Sequence, residues 1–74
     1  MGFFGNVLVR KISKECKIPE AEISRALTYC AINGIKVSNE SLKVSLGKYK
    51  KAPYWHKRAI AIKQIYDDYL LRMR

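Results

Sequence analysis

The side chains able to do acid–base or nucleophilic chemistry are few and scattered. His56 is the only histidine, and it stands among cations in Trp55-His56-Lys57-Arg58. General acid–base catalysis needs a positioned partner, yet Asp67 and Asp68 are sequence neighbours that a helix points to different sides. Cys16 and Cys30 lack the CxxC spacing, and with a single histidine they make no zinc set. No glycine-rich phosphate loop occurs. No catalytic residue, metal or cofactor is therefore expected, and the chain reads as a binding protein rather than an enzyme.

Charge is the stronger signal. Fifteen lysines and arginines against six acids leave a formal charge of +9 on 74 residues. Residues 43–63 hold seven of those cations (Lys43, Lys48, Lys50, Lys51, Lys57, Arg58 and Lys63) and no acid, whereas residues 18–42 are net negative. A surplus this concentrated repels itself in a compact chain, which points to a polyanionic partner. Within the run, Tyr49, Tyr54 and Trp55 interleave with the cations. Lysines there can neutralise phosphates, and an exposed ring can stack on an unpaired base. Trp55 also begins an apolar seam, which assigns it to the core.

Those residues have to be positioned by a single small domain spanning 1–74. Chains of this size bury only about 60% of their unfolded surface, but apolar residues make up 49% of this one, enough for a core. Cys16 and Cys30 sit among apolar neighbours and read as buried, free thiols. The apolar stretch near Phe3 and Phe4 is too short for a secretory signal, and nothing approaches a membrane span. A cytoplasmic location follows as an expectation.

The periodicity predicts a mainly α fold, a small helical bundle. Asn6 can cap a first helix over about 7–16, with Leu8, Val9, Ile12 and Cys16 on one side. Pro19 suits the first turn of a second helix over about 20–33, where Glu20 and Glu22 meet the positive end of the dipole. Ile23, Ala26, Leu27 and Cys30 form its buried stripe, and Asn33-Gly34 stops it, with Ile35 placed to pack back. The stretch 35–51 is ambiguous. Alternation of Ile35, Val37, Leu42, Val44 and Leu46 admits a β-hairpin wing at 35–46. The same residues admit a helix from about Asn39, capped by Ser38, and Gly47 weakens either choice. After Pro53, the positions Trp55, Ala59, Ile62, Tyr66, Tyr69 and Met73 form a continuous seam at alternating spacings of four and three, widened by Ile65 and Leu70. A helix from about Tyr54 to Leu71 would run roughly 27 Å, more than so small a domain covers. Tyr66, Tyr69 and Met73 are accordingly expected to offer a homodimer surface.

The run from Val9 to Leu27 resembles a helix-turn-helix, in particular the pattern of the lac repressor family. Ile12, Ile18, Ile23 and Leu27 fall where that motif locks its helices together, and Ser13 falls where a small residue lets them cross. Ile23-Ser24-Arg25-Ala26-Leu27 is similar to the family's recognition-helix ending. Val37-Ser38-Asn39-Glu40-Ser41 looks like the start of its third helix, and Ala52-Pro53 like the end. The resemblance covers about residues 8–53. Lys17 replaces the turn glycine, at the cost of strain in a left-handed conformation. The family's base-reading positions fall on Pro19, Glu20, Ser24 and Arg25.

Together these features predict a DNA-binding regulator of the size used by phages and other mobile elements. Lys48, Lys50, Lys51, Lys57 and Arg58 would contact phosphates, with Ser24 and Arg25 reading bases. Two other expectations share the same charge. One is a basic interaction module docking on an acidic protein, as inhibitor or adaptor of a host factor. The other is an RNA-binding module, favoured if Tyr49 and Tyr54 are exposed.

Overall fold

The computed structural model describes residues 3–72, with side chains described from Val7 onward. Four helices follow one another: α1 (Phe3–Cys16), α2 (Glu20–Ile32), α3 (Leu42–Lys51) and α4 (Trp55–Arg72). The molecule is a helical bundle measuring 30 × 26 × 22 Å. α1 begins at Phe3, about one turn before the start that Asn6 predicts, so Asn6 falls inside the helix.

α1 ends where its chain turns left-handed. Lys17 adopts φ +62° and its amide donates to the Ser13 carbonyl at 2.9 Å. That kink drops Ile18 into the core, 1% exposed. Pro19 then stands at the N-cap of α2 rather than at its first helical residue, and its carbonyl accepts from Ile23 N–H at 3.1 Å. The far end of α2 closes on two reversed bonds. Gly34 N–H donates to Ala31 and Ile35 N–H to Cys30. With Gly34 at φ +62° this is a Schellman cap, and Ile35 packs back against the core as its position predicts.

The ambiguous stretch resolves in favour of the helix, later than the sequence places it. Residues 35–41 form no strand or helix, and α3 starts at Leu42 because Ser41, not Ser38, caps it, its hydroxyl accepting from Val44 N–H at 3.3 Å. The wing at 35–46 is not formed. Gly47 lies within α3, where glycine costs about 1 kcal/mol relative to alanine. Lys48, Lys50 and Lys51 occupy the last turn of α3, at the negative end of its dipole.

Ile12, Ile18, Ile23, Ile62 and Ile65 are fully buried and form the centre of the core with Cys30. α4 packs against every other helix, and its seam is the spine of the bundle. Ala59, Ile62, Ile65 and Tyr69 are buried, and Trp55 and Tyr66 pack on them half-buried. Met73 lies outside the described residues. Leu70 does not widen the stripe; it is exposed, as is Leu71, and both line a shallow depression with Asn39 and Asp67. Both cysteines are free, but only Cys30 is buried. Cys16, at the end of α1, is half-buried with its Sγ 3.7 Å from Tyr69 Oη. Leu27 is likewise only partly buried. Among the described residues, no helix is long and apolar enough to cross a membrane.

Candidate nucleic-acid interface

The sequence sets Arg25 apart from the basic run at 43–63; the fold brings them together. α2 and α4 pack closely, so the outward side of α2 meets the α3–α4 corner at Ala52-Pro53-Tyr54. There the Arg25 guanidinium lies over the Trp55 ring, 5.1 Å from its centroid. Tyr29 meets Trp55 edge to face at 5.8 Å, and its hydroxyl is 2.8 Å from His56 Nδ1. Ser24, Arg25, Thr28, Tyr29 and Trp55 line a shallow depression of about 360 Å³. A cation held on an aromatic face keeps its N–H edge available for hydrogen bonds.

Glu22 explains why its own charge does not spoil this surface. It lies in the first turn of α2, where a free carboxylate would repel a polyanion. Its carboxylate instead accepts from Tyr49 Oη at 3.0 Å and from the Arg58 guanidinium at 3.3 Å, tying α2 to α3 and α4. Burial, and then the bond to Glu22, push the Tyr49 hydroxyl above its ordinary pKa. Glu20 stays exposed at the start of α2.

The seven predicted contact residues divide into two groups. Ser24, Arg25, Lys50, Lys51 and Lys57 are exposed, and among the described residues none of their charges enters an ion pair. Lys48 pairs with Glu40 at 2.6 Å, and Arg58 pairs with Glu22. Lys50 and Lys51 end α3 and Lys57 begins α4, so they flank the corner on which Arg25 and Trp55 converge. Of the two tyrosines in the run, Tyr54 is 54% exposed whereas Tyr49 is half-buried and bonded to Glu22. The reading of Trp55 as a core residue missed half of its role, since the ring that packs against the core also carries Arg25. Thr28 and Tyr29 were missed altogether. Their spacing of four from Ser24 and Arg25 puts them on the same side of α2, a signal the sequence does contain.

At the opposite end of α4, Tyr69 is buried against α1 within its own chain. It donates to Glu15 at 2.6 Å, and that bond holds Glu15 below the usual glutamate range. Burial, then the bond to Glu15, push the Tyr69 hydroxyl well above its ordinary pKa. Of the residues expected at a dimer surface, Tyr66 is half-buried; the apolar side chains α4 leaves exposed are Leu70 and Leu71.

No family model, no curated protein and no solved structure matches the chain.

Proposed function

We propose that the chain is a nucleic-acid-binding regulator that takes duplex DNA in preference to RNA. The observation that carries this reading is the Arg25–Trp55 contact, which joins an exposed guanidinium on α2 to a corner flanked by Lys50, Lys51 and Lys57. The lysines serve as phosphate contacts and set register, while Arg25, with Ser24 and Thr28 beside it, reads base edges. The left-handed Lys17 in the α1–α2 turn, and the burial of Ile12, Ile18 and Ile23, support a helix-turn-helix in which α2 enters the groove. Lys48 is paired to Glu40, whose carboxylate is half-buried, so a phosphate contact from Lys48 requires that pair to open. Arg58 is better placed as a brace, since Glu22 and Tyr49 hold it. DNA is favoured over RNA because only one of the two tyrosines in the run is exposed for stacking.

Trp55 is the only tryptophan, so its emission reports on the site directly. Titration with a duplex, a single strand and an RNA hairpin should change that emission most tightly for the duplex. Replacing Lys50, Lys51 and Lys57 by alanine should weaken all sequences alike, whereas Arg25→Ala should shift sequence preference by about 1–3 kcal/mol. Failure of the wild-type chain to bind any of the three at low salt would sink the proposal.

A further inference from the structure

A second concavity, about 700 Å³ in volume, runs between α3 and α4. Lys43, Lys48, Lys51 and Lys57 surround it, but its floor is apolar, with Val44, Ile60 and Ala61 among its residues. Lysines along a solvated face need no such floor.

Three features of the groove have no account within the fold. Val44 is left 47% exposed on the side of α3 that faces it. Gly47, mid-helix, has no positive φ, and a side chain there would meet nothing within 4 Å. Neither conformation nor packing calls for glycine at this position, and the bare backbone leaves room for another molecule to come close to the helix. Gln64 also lines the groove and is only 4% exposed. Its amide nitrogen donates to the Ser38 carbonyl at 3.2 Å, while its Oε1 has no partner.

We propose that this groove is a docking site for an acidic amphipathic helix of a partner protein. Apolar side chains at i, i+3, i+4 and i+7 of that helix would lie on Val44, Ile60 and Ala61, with closest approach at Gly47. Carboxylates along its flanks would face Lys43, Lys51 and Lys57, Lys48 being already paired with Glu40. A nucleic-acid duplex fits this site less well, because it brings charge without an apolar edge to cover the floor. The inference does not rest on the nucleic-acid reading, but it shares Lys51 and Lys57 with it, so the two partners exclude one another.

The test uses the full chain, labelled with nitrogen-15, and a synthetic helical peptide with leucines along one side and glutamates along the other. Addition of the peptide is expected to shift the amides of Val44, Gly47, Ile60 and Ala61 and the side-chain amide of Gln64, leaving Arg10 and Lys14 on α1 unmoved. Gly47→Leu fills the groove from an open position and should weaken binding at least about tenfold. Val44→Glu, at an exposed site, should do the same and serves if the first variant does not fold. A peptide of equal charge with serines for leucines should not bind. Binding that survives both substitutions, or that is equal for the serine peptide, overturns the proposal. So does a duplex that shifts the same floor residues, which would make the groove part of a nucleic-acid face.

Discussion

Lys17 holds a backbone conformation that its side chain disfavours, since a left-handed φ costs an L-residue roughly 1–2 kcal/mol. Lys17→Gly is therefore expected to stabilise the fold by about 1 kcal/mol, once glycine's greater freedom in the unfolded chain is subtracted. Urea denaturation checks this, and a lower midpoint in the variant would contradict it. Tyr69 makes a second prediction, about pH. Its bond holds the Glu15 pKa down, so that contribution is present above the ordinary glutamate range and is lost as pH falls through and below it. The pKa of Tyr69 itself is raised, chiefly by burial. That contribution is intact below about pH 10, where an unfolded tyrosine begins to ionise, and fades as pH rises further. Tyr69→Phe removes both, and should flatten the acid and the alkaline limbs of a stability–pH curve relative to the wild type. Identical limbs in the two proteins would count against the bond.

α3 is the element most dependent on its neighbours. It is ten residues long, contains a glycine and buries only Ser45 completely. Helices this short are marginal alone; Ser41 caps this one and Tyr49 ties it to Glu22. Glu22→Gln weakens that tie and the Arg58 pair together. With Arg58 partly exposed, a loss of about 1 kcal/mol is expected in thermal denaturation. The same change releases Arg58 and removes a negative charge, so affinity for duplex DNA should rise; a fall would show that the tie shapes the binding surface. These particulars also explain how far the sequence could be read. α2 and α4 were legible because proline, Asn33-Gly34 and an unbroken seam are local signals acting within a few residues. The start of α3 was misplaced by about three residues because Ser38 and Ser41 are equally good caps, and only packing against α4 chooses between them. Lys50, Lys51 and Lys57 could be picked out by charge and Arg25 by its place in the helix-turn-helix resemblance, whereas the part played by Trp55, Tyr29 and Glu22 depends on contacts across 26 to 36 positions that no periodicity reveals.

At the scale of the whole molecule, a +9 chain only 30 Å long concentrates charge enough to attract any polyanion. Affinity alone therefore cannot distinguish a built interface from a diffuse basic surface, but the salt dependence of its variants can. Each phosphate neutralised on a duplex contributes roughly −0.9 to the slope of log K against log salt. Contact with four to six phosphates predicts a slope of roughly −4 to −5 for the wild type, or a loss of more than about a hundredfold in affinity between roughly 50 and 200 mM salt. If Lys50, Lys51 and Lys57 make three of those contacts, their replacement by alanine should flatten the slope by about 2 to 3 and weaken all sequences alike. Replacing Arg10, Lys14 and Lys17 on and beside α1 removes the same charge from another part of the fold. A diffuse surface would answer both triple variants equally, whereas an interface at the α3–α4 corner answers only the first. Circular dichroism must show both variants folded, because lysine stems also cover apolar surface. Equal slopes in two folded triple variants would take the nucleic-acid face away from this corner.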